Sequence, residues 1–397
     1  MKKVLFNILP AMLLVACYDP EPYVSEDDFS TTSTVSEIGT VYSVNEGMQI
    51  CNPSVSQDSE KYPASMLWLN FGTDLHVVSP DTAVYNTVWK KDHKIVEHDR
   101  LTVSDTAGKV LWFLMRDTSK GDCEFQDPEW STHPNFIAYL RGYDVNGSKA
   151  CLDKDFGIFA ARLSDKKIYT FYGKKQSDEA TPHIWVDPSV TEVDTSKKDT
   201  TLEGFFGTKN VRLVFVTKDD KIVFRDFANG GKEITLKKPA EHKNEMIDSP
   251  LISPDGKFIV YNVIDKSDEK IWYAYIQELS KNSEPVKIEK EQGMMSDPAQ
   301  PHWFKFGERL FVVWTEFPSG ATMLNTNDLK VKEVQNGSVG RTVMREIQLA
   351  AGAPSDLFLN WVGDIREISP VPMIGGRSPD GNFLATGRND GFLIKLP

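Results

Sequence analysis

Three histidines of this chain lie next to prolines that recur along it. The histidines are His133, His183 and His302, and aspartates precede three of the recurring positions at Asp178, Asp248 and Asp297. If these positions are equivalent in a repeated unit, the imidazoles and carboxylates face one another at one side of the protein. A ring of such groups has the chemistry to bind a cation, a sugar or a peptide. The alternative is that each side chain bonds to the backbone of its own repeated loop.

Motifs for covalent or metal chemistry are missing from the sequence. The string Gly337-Ser338-Val339-Gly340 lacks the Gly-x-Ser-x-Gly spacing that places a nucleophilic serine at a sharp turn. No His-Glu-x-x-His pair is present to bind zinc. The sequence therefore predicts no catalytic residue, no metal site and no cofactor.

The elements that would position the histidines and aspartates are nearly all strands. Short β-branched or aromatic runs recur between Gly, Pro, Asp or Asn, as at 211–216, 271–276 and 310–314. The stretch 341–351 fits a helix or a strand equally well. Two turns stand out, Ser-Pro-Asp-Gly at 253–256 and again at 378–381. In each turn proline presets φ, aspartate bonds its own backbone and glycine accepts a positive φ.

The spacing of these signals indicates a repeat. When Pro250 is aligned with Pro301, the apolar runs that follow them coincide, and aligning Ser378 with Ser253 places the last copy at Gly375. Three further copies are weaker. The anchors of the six units are residues 63, 134, 182, 250, 301 and 375.

Six units of short strands predict an all-β fold, a six-bladed β-propeller of four-stranded blades. Too few residues follow Gly375 for four strands, so we expect an N-terminal strand, from Thr40–Val44 or Met48–Cys51, to close the last blade from outside. The alternative is a two-sheet sandwich followed by a second all-β domain.

The Ser253–Tyr261 stretch and its copy at Ser378–Phe383 resemble the WD40-like (PD40) repeat of TolB-like six-bladed propellers. Asp248-Ser249-Pro250 before the first copy fits that pattern as well. The resemblance implies a periplasmic binding or scaffolding module, and it indicates almost nothing about a catalytic activity. In such a propeller the histidines and aspartates would lie at one mouth of the central channel, where the innermost strands begin.

Three cysteines, Cys51, Cys123 and Cys151, follow the N-terminal region. An odd number allows one internal disulfide and one free thiol. In an up-and-down blade the loops that carry Cys123 and Cys151 emerge on one face. We therefore expect a Cys123–Cys151 disulfide and a free Cys51, and the alternative is three buried thiols.

The N-terminus predicts export and lipidation. Lys2 and Lys3 precede a short apolar stretch that ends in Leu14-Val15-Ala16-Cys17, which resembles a bacterial lipobox. The resemblance implies that residues 1–16 are a signal peptide, that Cys17 carries lipid, and that the protein lies in the bacterial cell envelope, at the outer membrane. Residues 17–39 are acidic and rich in Ser and Thr, which predicts a flexible tether before a propeller over 40–397.

Together these features favour a lipoprotein that binds or scaffolds without catalysis. The expected partners are the membrane, through the lipid, and an envelope protein or polysaccharide. The formal net charge of −12 makes nucleic acid an unsuitable partner. The alternative is a propeller enzyme that acts on glycans through an acidic site at the channel mouth.

Overall fold

The computed structural model describes residues 34–36, 39–44, 50–70, 98–145, 154–176, 180–195, 200–267, 271–281, 283–318, 340–354, 357–386 and 391–397. Within these residues the chain forms six antiparallel sheets of four strands each. The sheets are the blades of a β-propeller, so the predicted fold class is confirmed. No helix in the described part of the chain is long and apolar enough to cross a membrane.

The first three blades follow one another in the chain, each beginning with its innermost strand. Blade 1 contains β3 (Ile50–Val55), β4 (Met66–Asn70), β5 (Arg100–Ser104) and β6 (Val110–Met115). Blade 2 contains β7 (Asp122–Trp130), β8 (Phe136–Asp144), β9 (Lys154–Arg162) and β10 (Ile168–Gln176). Blade 3 contains β11 (His183–Val186), β12 (Val211–Val216), β13 (Ile222–Asp226) and β14 (Glu233–Thr235).

Blade 3 also holds the α-helix α1 (Leu202–Phe206), inserted between its first two strands. Thr201 Oγ1 accepts the Gly204 N–H at its start. Gly207, with a φ of 77°, ends the helix in the left-handed conformation. Its buried face, Phe205 and Phe206, covers the outer strands of blade 2.

Blades 4 and 5 repeat the same order. Blade 4 contains β15 (Met246–Ile252), β16 (Phe258–Ile264), β17 (Trp272–Glu278) and β18 (Val286–Lys287). Blade 5 contains β19 (Ala299–Phe306), β20 (Arg309–Glu316), β21 (Arg341–Leu349) and β22 (Leu359–Ser369). The stretch that the sequence left open between helix and strand is therefore the third strand of blade 5.

The last blade joins both ends of the described chain. Its sheet runs in the order β1 (Thr34–Ser36), β2 (Gly39–Ser43), β24 (Phe392–Lys395) and β23 (Phe383–Thr386), and Arg377 makes a bridge to Leu384 at the inner edge. The expected closure by an N-terminal strand is confirmed. Two strands take part rather than one, and Thr34–Ser36 falls inside the range expected for the tether. Of the other candidate, Met48–Cys51, Ile50 and Cys51 belong to β3, and residues 48–49 lie outside the described residues.

Two of the six sequence anchors were assigned to the wrong strand. Pro63 precedes β4 and Pro134 precedes β8, which are second strands of their blades. The residues equivalent to Pro182, Pro250 and Pro301 are Pro53 in β3 and Pro128 in β7. The error arose because Pro63 and Pro134 are also followed by apolar runs.

The turn at Ser253–Gly256 shows how neighbouring blades lock together. Ser253 Oγ accepts the Phe258 N–H at 3.0 Å, which closes the turn. From blade 3, Trp185 Nε1 donates to the Pro254 carbonyl at 2.9 Å, and Arg212 donates to the Gly256 carbonyl. Hydrogen bonds from blade 3 to this turn therefore fix the position of blade 4 relative to blade 3.

Replacing Gly256 with alanine is expected to lower the free energy of unfolding by about 2–4 kcal/mol. Its φ is +75°, and an added Cβ would lie 2.7 Å from the Trp185 ring. Gly230→Ala is the matched control, because its φ is +85° but no atom lies within 4 Å of an added Cβ. The control is expected to lose only about 1 kcal/mol. Urea denaturation measures both, and equal losses would contradict the locking role of the turn.

Candidate functional site

Five innermost strands of the described chain share one irregularity, a residue with positive φ followed by proline. The residues are Asn52, Asp127, Thr181, Ser249 and Gln300, and the prolines are Pro53, Pro128, Pro182, Pro250 and Pro301. The pairing register slips at these places in β3, β7, β15 and β19. Because proline has no N–H and a residue is inserted, pairing stops and the next side chain is redirected. We call these features the proline bulges.

The proline bulges connect neighbouring blades. Asn52 Nδ2 donates to Asp127 Oδ1 at 2.6 Å, which joins the innermost strands of blades 1 and 2. The Ser249 N–H donates to Thr181 Oγ1 at 3.2 Å, which joins blades 4 and 3. The first bond joins two side chains, and the second uses a backbone N–H that lies where the strand pairing is interrupted. The hydrogen bonds between neighbouring blades therefore stabilise the strained left-handed residues.

The residue after each bulge proline lies on the innermost strand of its blade, the strand nearest the propeller axis. These residues are Ser54, Glu129, His183, Leu251 and His302, and we call them the inner ring. His183 and His302 come from blades that are not adjacent, yet His302 contributes to the lowered pKa of His183. The innermost strands of a propeller surround its central channel, which we call the axial channel.

Glu129 supplies the carboxyl group of the inner ring. Its Oε1 accepts the Ser54 hydroxyl at 2.6 Å, and Ser54 Oγ accepts the Trp130 N–H at 3.1 Å. Burial raises the pKa of Glu129 to about 8, against which the hydrogen bonds from Ser54 and Trp130 act in the opposite direction. The carboxyl group is therefore mostly protonated and uncharged at pH 7.

His183 joins three blades through its ring. Its Nδ1 accepts the Ile252 N–H of blade 4 at 3.0 Å. Because an amide N–H only donates, the ring proton lies on Nε2, which faces the Trp130 carbonyl of blade 2. Burial, and to a lesser extent His302, lowers the pKa of His183 to about 3. His183 is thus a neutral residue whose two nitrogens are both used by the fold.

His302 holds its proton on the other nitrogen. Its Nδ1 lies 3.0 Å from the Gln300 carbonyl, which can only accept, so Nδ1 carries the proton and Nε2 carries a lone pair. Burial lowers the pKa of His302 to about 4. The imidazole of His302 packs against Gly376 of blade 6. A side chain at position 376 would crowd the imidazole, because a Cβ there would lie 3.0 Å from His302 Cδ2.

The predicted aspartates separate from one another. Asp248 lies beside the bulge of blade 4, accepts the Ser249 hydroxyl at 2.9 Å, and has its pKa raised by burial. Asp297 lies in the loop before β19 and pairs with Lys287 of the outermost strand β18 at 3.3 Å, away from the axis. Asp178 lies outside the described residues.

His133 does not begin an innermost strand, contrary to the sequence alignment. It lies in the turn between β7 and β8, where Nδ1 accepts the Asn135 N–H at 3.1 Å and Nε2 lies 2.8 Å from the Val190 carbonyl. Burial lowers its pKa. Of these residues, the structure therefore brings His183 and His302 within electrostatic range of each other. Asp248 bonds within its own bulge, and His133 and Asp297 bond elsewhere.

Glu129 and Ser54 are the channel residues that sequence reasoning missed. The signal was present in Asn52-Pro53 and Asp127-Pro128, which match Thr181-Pro182 in pairing a small polar residue with proline. Among the described residues, no group of three or more His, Cys, Asp or Glu side chains is placed to hold a metal ion.

The cysteines differ from expectation at Cys51. Both Cys51 and Cys123 are disulfide-bonded, so the free thiol expected at Cys51 and the alternative of three free thiols are wrong. Cys123 lies within the innermost strand β7 rather than before it. Cys151 lies outside the described residues, and the Cys123–Cys151 pairing stays a prediction.

Comparisons with known proteins relate this chain to solved structures alone. No protein-family model matches it, and no curated protein matches it. Kuenenia stuttgartiensis hydrazine synthase is 12% identical, with 92% of this chain and 77% of that chain covered and a TM-score of 0.38. TolB from Acinetobacter baumannii is 12% identical, with 85% and 64% covered and a TM-score of 0.43. A GH43 endo-arabinanase from Bacillus licheniformis is 9% identical, with 77% and 96% covered and a TM-score of 0.36.

The protonation of Glu129 makes stability depend on pH. Folding raises its pKa from 4.5 to about 8, so the stability that its proton contributes is complete below pH 4.5 and is lost as the pH rises to 8. The loss is expected to reach about 3–5 kcal/mol. Glu129→Gln keeps the shape and removes this titration, so its free energy of unfolding should vary less between pH 5 and 9. Glu203→Gln, at an exposed surface, is the control, and equal pH profiles for native protein and Glu129→Gln would contradict the assignment.

Proposed function

We propose that this chain is a lipid-anchored cell-envelope protein whose propeller binds a partner at the axial channel without catalysing a reaction. The observation that carries the proposal is the inner ring, where polar groups converge on one space and are uncharged at pH 7. Among the described residues of that ring, Glu129 is the single carboxyl group. Hydrolysis of a glycan generally uses two.

The N-terminal sequence supports the envelope location. Leu14-Val15-Ala16-Cys17 resembles a lipobox, and the turns at 253–256 and 378–381 resemble the PD40 repeat of envelope propellers. The signal peptide and Cys17 lie outside the described residues. The proposed partner is an envelope protein or polysaccharide that reaches the channel.

Binding is tested by affinity capture from gently solubilised envelopes with the tagged, full-length protein. A Glu129→Ala/His302→Ala double variant, checked for native folding by circular dichroism, removes two of the four polar side chains of the inner ring and keeps Ser54 and His183. His133→Ala is the control because this histidine lies outside the inner ring. The native protein and the control should capture the same partner, and the double variant should lose it. Capture of the same partner by all three proteins would show that the partner does not bind at the axial channel.

Lipidation is tested separately. Cells that express the native protein in the presence of an alkyne fatty acid should incorporate the label, and the protein should fractionate with membranes. Cys17→Ser should remain unlabelled and should keep its signal peptide. Equal labelling of both proteins would contradict an anchor at Cys17.

A second candidate function is a glycan-active enzyme, and one observation favours it. A glutamic acid with a pKa of about 8 is suited to act as a general acid at neutral pH. The test is to incubate the protein with envelope polysaccharide and measure the release of reducing sugar. Release by the native protein that is abolished in Glu129→Gln would show that the protein is an enzyme and not only a binding protein.

A further inference from the structure

A cavity of about 320 Å³ lies between blades 4 and 5, beside their outer strands. Residues 291–294, which follow the last strand of blade 4, form one wall. The outer strands of blade 5 form the rest, through Arg341, Val343 and Arg345 of β21 and Asp364, Ile365 and Glu367 of β22. The volume is at the lower end of the range for ligand pockets, so the cavity accommodates a group the size of one long side chain.

Both arginines of the cavity are already bound to acidic side chains. Arg341 donates to Glu316 Oε2 at 2.7 Å and to Glu367 Oε2 at 3.2 Å. Arg345 donates to Glu291 Oε1 at 2.6 Å, which joins blade 5 to the loop of blade 4. An anionic ligand would therefore compete with carboxylates that the protein itself supplies to both guanidinium groups.

Asp364 is an exposed carboxylate of this cavity that bonds to no described residue. The acidic side chains at this place outnumber the basic ones, with Glu291, Glu316, Asp364 and Glu367 against Arg341 and Arg345. Lys290 and Arg366 are close in the sequence, but neither of them lines the cavity. The excess of negative charge favours a ligand that carries a positive charge.

The cavity adjoins the edge of a sheet. β22 has 11 residues, is the longest described strand and is the outermost strand of its blade, and no described strand pairs with its outer edge. Its pairing with β21 is interrupted where residues 363–365 oppose Arg345 alone, and Gly363 has a φ of 67°. Such a bulge changes the direction of a side chain, and Asp364 in its middle reaches the cavity. The strand edge and the carboxylate therefore lie side by side.

We propose that blade 5 binds an extended, basic segment of a partner protein, which pairs with the outer edge of β22 and places a lysine or arginine side chain in the cavity beside Asp364. In such complexes the main-chain hydrogen bonds supply affinity and a side-chain pocket supplies specificity. The charged end of the side chain donates to Asp364, and its aliphatic stem packs on Val343 and Ile365. This site is separate from the axial channel and does not rest on the binding proposed there.

The test measures binding of the full-length protein to an array of strand-forming peptides of about ten residues with varied flanks, whose central position is lysine, arginine, norleucine or glutamate. Lysine and arginine peptides should bind. Norleucine should weaken binding about tenfold, because a charged hydrogen bond is lost, and glutamate should abolish it.

Protein variants locate the site. Asp364→Asn should weaken binding of the lysine peptide about tenfold. Asp219→Asn is the matched control, because Asp219 is an exposed aspartate of blade 3 that accepts from Lys221 at 3.2 Å. The control and the Glu129→Ala/His302→Ala double variant should both bind the peptide as the native protein does. Equal binding by Asp364→Asn and the native protein would contradict the site.

Two further probes separate the parts of the proposal. A lysine peptide methylated on its backbone nitrogens keeps its charge but cannot pair with a strand, so it should lose binding, and equal binding would overturn the pairing with β22. Spermidine carries the charge without a peptide backbone, and binding as tight as that of the lysine peptide would show that a free amine is the ligand. Norleucine or glutamate peptides that bind as tightly as lysine peptides, or no binding by any peptide, would overturn the basic partner and leave the channel proposal untouched.

Discussion

The left-handed residue before each bulge proline is the constraint on which the centre of this propeller depends. An L-residue with positive φ is strained, and proline removes the N–H that would continue the strand pairing. The strand pairing is therefore interrupted at this level in β3, β7, β15 and β19, and in blade 3 the same residues precede β11. Asn52 Nδ2 and the Ser249 N–H bond from these places to the neighbouring blade. In blade 6, glycines occupy this level. The Val55 N–H of blade 1 donates to the Gly375 carbonyl of blade 6 at 2.7 Å, and this bond closes the ring of blades. The same break turns the following side chain towards the axis.

The channel chemistry follows from these bonds. His183 and His302 occupy equivalent places and both lack charge, yet they hold opposite tautomers. The cause is the backbone group that meets Nδ1, a donating N–H at His183 and an accepting carbonyl at His302. Glu129 keeps its proton because it is enclosed without a cation beside it. Burial therefore leaves Glu129, His183 and His302 mostly uncharged at pH 7.

The fold could be predicted from the sequence because its signals are local. The Ser-Pro-Asp-Gly turns indicate strand, turn and strand within a few residues, and the recurring anchors aligned with them predicted six blades. The phase of the first two blades was misassigned because Pro63 and Pro134 precede apolar runs, whereas the equivalent prolines Pro53 and Pro128 are followed by the polar residues Ser54 and Glu129. His133 was misplaced for the same reason.

The site was less accessible than the fold. His183, His302 and Asp248 were selected by position relative to proline, and the structure places them along the innermost strands. Glu129 was overlooked because a single glutamate in a strand has no sequence signature, and its protonation arises from burial by residues far apart in the chain. Tautomers likewise depend on backbone groups of neighbouring blades, which no local pattern records.

The central claim is that Glu129 is uncharged at pH 7. It is tested most directly by following its side-chain carboxyl carbon by NMR as the pH is raised, with the resonance assigned by its loss in Glu129→Gln. The account predicts a midpoint near pH 8, in line with the pKa of about 8 that burial produces. A midpoint near 4.5, the ordinary value for glutamate, would show a charged carboxylate at pH 7 and contradict the account.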